Sequence, residues 1–286
     1  MSKGSGISLV LGAGGLRGLA HIGVLKVFDQ ENIPVQMIAG CSIGSMIGAL
    51  YAAGITAVNL EKLALNLKRR HWIDLVVPKT GLVAGHRLLE MMYLLTKQKT
   101  FEQLDIPLVV VATNLCSGEE HLFREGSVAE AVRASISVPG IFVPHLIKGI
   151  YYVDGAVVNP TPIDIARQAS PGIVVAVDLA EAGTVCVLTN MFDVILMSID
   201  IMERQLLKHR LVHGDVLIQP EVGHILPSDF NRGAELIEQG ELAARRAVPK
   251  IRVLLEAYAH NPNNILEDRI QKQAQNPSEI SQGLKN

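Results

Sequence analysis

Cysteine is scarce in this chain: Cys41, Cys116 and Cys186 are the only three in 286 residues. They are odd in number, far apart and in no CxxC arrangement, which argues against a disulfide framework or a zinc site and fits a reducing cytoplasm. An excess of charge is missing too. Lys and Arg total 26 against 28 Asp and Glu, a net charge of −2, so no broad positive field exists for nucleic acid or anionic lipid, and any membrane contact must be local. The N-terminal Met-Ser-Lys-Gly-Ser-Gly has no apolar signal-peptide core and no lipid-accepting Cys, and Ser2 stands where N-myristoylation needs Gly. The expected location is cytoplasmic, with peripheral contact at a membrane left open. Fixed-period repeats and Pro- or Ser-rich linkers are absent from residues 5–260, which read as one domain. Residues 261–286 hold only six apolar side chains, too few to bury a helix face, and read as a poorly ordered tail.

What is present is a core. The apolar set makes up 49% of the chain and charged residues 19%, the balance of a compact globular protein. No charge occurs between Glu31 and Glu61, and Gly40, Gly44 and Gly48 recur at the spacing of membrane helix pairs. Pro34, Gly40 and Gly54 punctuate that run, so a buried strand, turn and helix explains it better than a membrane span. Ile7 to Leu11 reads as a strand, Gly12 to Gly15 as a turn, and Gly18 to Gln30 as a helix. Val35 to Ala39, Gly40 to Gly44 and Ser45 to Ala53 repeat the pattern. Two such units imply a parallel sheet and an α/β fold. Ile106 to Thr113 and Gly172 to Leu179 read as central strands, Glu119 to Arg124 as a hairpin arm, and Phe192 to Arg210 and Glu235 to Tyr258 as helices. The stretch from Thr56 to Thr100 reads as helical cover for the sheet.

Gly40-Cys41-Ser42-Ile43-Gly44 is a G-x-S-x-G with a strand before it and a helix after it. That context is a nucleophile elbow: the glycines allow a tight turn that pushes the central Ser Oγ out, and the helix N-terminus supplies N–H groups. Small-residue turns between strand and helix are common, so the motif needs company. Gly12-Ala13-Gly14-Gly15-Leu16-Arg17-Gly18 follows the first strand. Arg17 occupies the third Gly position of a dinucleotide fingerprint, no acidic residue ends the second strand, and no Gly-Lys-Ser/Thr closes a P-loop. An oxyanion hole beside Ser42 is the better assignment, since both loops fall at the C-terminal edge of a parallel sheet. The base that takes the Ser proton is then Asp154, in Tyr152-Val153-Asp154-Gly155-Ala156, or Asp178, at the end of an apolar strand. Cys41 flanks the presented position and is not expected to be the nucleophile.

GAGGLRGLAHIGVL, GCSIGSMIGALYA, VRASISVPGIF and YVDGAVVNPTP occur in this order over residues 12–162, and with them the chain resembles the bacterial patatin-like phospholipases. The resemblance implies a three-layer α/β/α fold with a mainly parallel central sheet and a Ser-Asp dyad without His. Carried onto this sequence, it makes Ser42 the nucleophile and Asp154 the proton acceptor. It also assigns the Gly14, Gly15 and Leu16 amides to the oxyanion hole. Arg17, Gly40, Gly44, Gly155 and Ala156 shape the motif around them, while Arg133 and Pro139 are expected to be structural. Ala13 stands where many members have Gly, which is tolerable if its φ is negative. The implied substrate is a lipid or fatty-acyl ester; no cofactor, metal or nucleic acid is implied, and the oligomeric state stays open. A conventional triad would need His213, His224 or His260, each with a plainer reading as a loop or helix-end residue, and His21 reads as a packing residue. The rival readings are a non-catalytic lipid- or partner-binding protein, a thioesterase or general carboxylesterase, and a nucleotide-binding enzyme. Two further expectations concern substrate. Lys68-Arg69-Arg70-His71-Trp72 is a solvated helix end or an interfacial contact, and Leu88 to Leu95, with Met91 and Met92, is core packing or an acyl pocket or lid, with Leu89 as its probe position. An unperturbed Asp ionises at about pH 4, so an Asp base should stay competent in mild acid.

Overall fold

The computed structural model describes residues 6–66, 74, 80–169, 172–180, 191–208 and 214–260. Lys68 to Trp72, Cys186, His213 and the 261–286 tail lie outside the described residues.

The chain runs β1 (Ile7–Leu11), a 3-10 turn (Gly15–Leu19), α1 (Ala20–Gln30), β2 (Val35–Cys41), α2 (Ile43–Ala52), α3 (Ala57–Asn66), β3 (Gly81–Val83) and α4 (His86–Leu95). It continues through β4 (Leu108–Asn114), β5 (Glu120–Phe123), α5 (Val128–Ser135), β6 (Gly140–Phe142), β7 (His145–Ile147), β8 (Ile150–Asp154) and α6 (Ile163–Ala169). β9 (Ile173–Val177), α7 (Met191–Lys208), β10 (Val216–Ile218) and α8 (Gly233–His260) complete it. The main sheet has the order β10-β9-β1-β2-β4-β8-β7, with β5 also on β4. β10, β9, β1, β2 and β4 are mutually parallel; β5, β8 and β7 add antiparallel pairings. The uncharged run from Asn32 to Leu60 is β2, α2 and the start of α3, and among the described residues no helix is long and apolar enough to cross a membrane. Between α3 and α4, read as continuous helical cover, the short strand β3 pairs with β6.

Alternation along the strands makes the layers. Leu9 and Leu11 of β1 face the cluster built with α1, α2 and α8, whereas Val10, Ala39 and Val174 face α6. α1 and α8 touch backbone to backbone: a Cβ on Gly23 would lie 1.9 Å from the Ile237 carbonyl oxygen, and one on Gly240 1.9 Å from that of Ala20. No larger residue fits either place.

The register of β4 positions the site. β5 occupies one edge of β4 over Val110–Thr113, so β2 and β8 must share the other edge. β2 holds it as far as the Cys41–Val111 pair, and β8 takes over at the Asp154–Ala112 pair. The end of β8 is thereby set down beside the end of β2. A Cβ on Gly155 would lie 2.4 Å from the Val111 carbonyl oxygen and 2.9 Å from Cys41 Sγ, so only Gly permits this close join.

Candidate active site

Ser42 sits between β2 and α2 with φ 53° and ψ −128°, a strained conformation for a residue with a side chain. The elbow is held from all sides. The Ser42 N–H donates to Ser135 Oγ at 2.9 Å, and its carbonyl oxygen accepts from Ser45 Oγ at 2.6 Å and Ser45 N–H at 2.9 Å. Gly44 packs against β1, where a Cβ would lie 2.1 Å from the Leu11 carbonyl oxygen, and Gly40 lies against Ser45. Cys41 is fully buried with Ala13, Val111 and Ala156.

Ser42 Oγ donates to Asp154 Oδ2 at 2.6 Å. Asp154 Oδ1 accepts from the Ala156 N–H at 2.9 Å, its own N–H donates to the Ser137 carbonyl oxygen at 3.0 Å, and its carbonyl accepts from Thr113 Oγ1 at 2.9 Å. The carboxylate therefore has a fixed orientation. Burial lifts its pKa from 3.8 to about 7, against the lowering effect of the Ser42 and Ala156 hydrogen bonds. This corrects the expectation of an Asp base competent in mild acid, because desolvation is a tertiary property that residue type does not reveal. Asp178, the other candidate base, instead accepts from the Ala180 N–H at 3.1 Å.

In the glycine loop, the Gly12 and Ala13 amides are tied to the Val177 and Pro160 carbonyls. Ala13 has no positive φ, which meets the condition for its replacing Gly. Gly14 and Gly15 have φ of 151° and 57°, and their amides meet no acceptor among the described residues. Leu16 departs from expectation. Its N–H donates to the Pro227 carbonyl oxygen at 2.9 Å, so the free donors beside Ser42 are Gly14 and Gly15. Arg17 is fully buried, with Nε donating to the Ile225 carbonyl at 2.7 Å and Nη1 to Asp200 Oδ1 of α7 at 3.2 Å. It ties the loop to the later half of the chain. His21 is buried, its Nε2 2.8 Å from the Gly12 carbonyl oxygen, and desolvation lowers its pKa to about 4, as suits a neutral packing residue. His224 pairs with Glu235, and His260 meets the Glu256 carbonyl; neither is near the dyad by its contacts.

A cavity of about 390 Å³ opens onto Ser42. Ile43, Met46, Leu88, Ile136, Val138, Ile141 and Phe142 line it from the body, and Phe192 and Leu196 of α7 with Phe230 close the far side. Leu88, itself a buried core residue, is the one that α4 contributes to the wall; Leu89, the expected probe, is partly buried against the same core and does not line the cavity. Arg133 frames the cavity by holding three carbonyls, those of Ala84, Gly85 and Val143, and donating to Ser137 Oγ at 2.6 Å, the structural part expected of it.

Several of these groups escape the sequence. Ser135 lies in the VRASISVPGIF block without advertising a partner 93 residues away. α7 is less legible still, because its acids point inward: Asp193, Asp200 and Glu203 are buried while Met191, Val194, Ile201 and Met202 are exposed. The 193, 200, 203 spacing places the three acids on one helical face, which is the only signal present.

The sequence matches the Patatin-like phospholipase family model over residues 9–167. Patatin-like phospholipase domain-containing protein 6 of Homo sapiens is 34% identical over 192 residues, covering 62% of this chain and 14% of the relative. An uncharacterised NTE family protein of Mycobacterium tuberculosis is 33% identical over 182 residues, covering 62% of this chain and 50% of that protein. The chain thus spans half or less of the length of these relatives. Among solved structures, VipD of Legionella pneumophila aligns with a TM-score of 0.52 at 14% identity, over 90% of this chain and 67% of that one. ExoU in complex with SpcU from Pseudomonas aeruginosa gives 0.51 at 15% identity, over 87% and 52%. These likenesses speak to fold.

Proposed function

The chain belongs to the patatin-like phospholipase family, and we propose that it is a serine lipid acyl hydrolase that cleaves fatty-acyl esters through an acyl-Ser42 intermediate, with Asp154 as base. The observation that carries the reading is the 2.6 Å hydrogen bond to a buried, fixed Asp154 carboxylate from the Oγ of Ser42, which lines an apolar cavity. As Oγ bonds to the ester carbonyl carbon, its proton passes to Asp154 Oδ2, and the Gly14 and Gly15 amides hold the developing oxyanion. Collapse breaks the bond to the leaving alcohol, which takes the proton from Asp154. A water then repeats the attack on the acyl-enzyme and restores Ser42. A base that titrates near 7 is matched to neutral pH, where it is both ionised and basic enough to accept the proton.

The cavity supports a fatty-acyl substrate: its size is that of a ligand site and its walls are mainly aliphatic and aromatic, with Asp193, Ser228 and Asp229 as the polar part. Among the described residues no basic side chain lines it, and its apolar walls suit the chain of a lipid. Intact-mass analysis after fluorophosphonate treatment tests the reading. One adduct is expected on the wild type, none on Ser42→Ala, and much slower labelling of Asp154→Asn. A folded wild type that takes no adduct refutes it and favours a binding protein that retains the fold.

A further inference from the structure

The dyad borders two spaces. Beside the apolar cavity lies a chamber of about 30 Å³, and the two share Gly15, Ser42, Val138, Leu196 and Pro227 in their walls. Only the small chamber is lined by Asp154, Asp200 and Glu203; Gly14 and Gly15, the proposed oxyanion donors, form another part of its wall, so the acyl carbonyl oxygen takes that side and the Glu203 side is left for water. Its volume suits a water molecule and excludes an acyl chain or a head group. Asp200 is engaged by Arg17 and Arg204. Glu203 is different. It is 7% exposed, it lines the chamber, and its carboxyl has no hydrogen-bond partner among the described residues. A carboxyl buried in this way requires a partner, and the chamber is where one fits. Burial, followed by the negative fields of Asp154, Asp200 and Asp178, keeps its proton on well above the ordinary range, with Arg17 opposing. A neutral carboxyl both donates and accepts one hydrogen bond, as a single water can satisfy.

We propose that Glu203 holds in this chamber the water that hydrolyses the acyl-Ser42 ester, and is thus a positioning residue for deacylation. The inference rests on the acyl-serine reading above. With the acyl chain in the apolar cavity, the chamber water lies against the acylated Ser42 and Asp154. Its oxygen bonds to the carbonyl carbon while one proton passes to the Asp154 carboxylate. Collapse breaks the bond between that carbon and Oγ, the proton on Asp154 moves to Oγ, and the fatty acid departs. Glu203 ends the cycle with the proton it began with. Acylation needs no such water, so the two half-reactions depend on Glu203 differently.

Pre-steady-state hydrolysis of a p-nitrophenyl acyl ester separates them. Glu203→Leu, which dries the chamber, is expected to keep the acylation burst within about threefold of wild type and to lose about tenfold in steady-state turnover. Acyl-enzyme should accumulate in its intact-mass spectrum, and Glu203→Gln, still able to hold water, should restore most of the turnover. A parallel loss of burst and turnover, unchanged turnover in Glu203→Leu, or a Gln variant no better than Leu overturns the proposal. A size test is independent of how Glu203→Leu folds. In added methanol the wild type should form little methyl ester, because the chamber admits only water, and Glu203→Ala should raise the methyl ester fraction several-fold; an unchanged fraction overturns the proposal. A wild type that takes no fluorophosphonate adduct refutes the acyl-serine reading and this inference together. A wild type that acylates and turns over while the variants miss these expectations refutes the role of Glu203 alone.

Discussion

Asp154 has a native pKa of about 7 against 3.8 for the free side chain, and burial is the cause. A base must be ionised to accept the Ser42 proton, so kcat/KM on a soluble short-chain ester should fall tenfold per unit below pH 7. At pH 5 it should stand about 100-fold under its plateau. The same shift has a thermodynamic face. Because the native pKa lies above the unfolded one, the contribution of Asp154 to stability is fully present below the unfolded value and is lost as pH rises through 7. At about 1.4 kcal/mol per unit, the ionised buried carboxylate costs roughly 4 kcal/mol at pH 8 and nothing at pH 3. Asp154→Asn carries no such ionisation. It should be inactive yet more resistant to urea than wild type at pH 8, and the difference between the two proteins should shrink steadily towards pH 4. The assay is a pair of urea titrations across that range alongside the pH–rate profile. Activity at pH 5 within a few-fold of the plateau, with a pH-independent stability difference between the two proteins, would refute the argument, because it would mean an Asp154 solvated like a surface carboxylate.

Other consequences are as direct. Ser42→Gly should be more stable than Ser42→Ala by about 1 kcal/mol, since only Gly relieves the positive φ; equal melting temperatures would remove strain from the account of the elbow. Gly23→Ala should destabilise by about 3 kcal/mol or more in urea, because its methyl meets the Ile237 carbonyl oxygen at 1.9 Å. Leu88→Asp should depress long-chain far more than short-chain ester hydrolysis, and Leu89→Asp should show no such bias in kcat/KM, since only Leu88 lines the cavity.

Much of the first half was legible because its signals are local. Ile7–Leu11 is an uninterrupted strand in both sequence and structure, and G-x-S-x-G between strand and helix marks Ser42. β2 runs two residues past its expected end because Gly40 and Cys41 still pair with Val110 and Val111, and pairing is not a local property. The same limit hides the fate of the Leu16 amide, which depends on Pro227, and the basicity of Asp154, which depends on what covers it. For α7, the ordinary rule that carboxylates face water gives the wrong face, since Asp193, Asp200 and Glu203 turn inward to the site. Sequence order marks Ser42 and Asp154, which the structure brings within hydrogen-bond distance, whereas the groups around them come from segments distant in the chain.

The central position of β1 has a consequence for biosynthesis. Its residues emerge from the ribosome before those of the other described strands, yet one of its edges is completed only by Ile173–Val177. The glycine loop waits equally long: Gly12 is fastened to Val177, Arg17 to Ile225 and Leu16 to Pro227. Long-range parallel pairing of this kind forms late and slowly, and an unpaired apolar strand is meanwhile open to wrong partners. The nascent chain therefore carries Ser42 and Asp154 well before it carries a formed glycine loop beside them, and the arrangement seen around Ser42 is complete only when translation has passed Pro227.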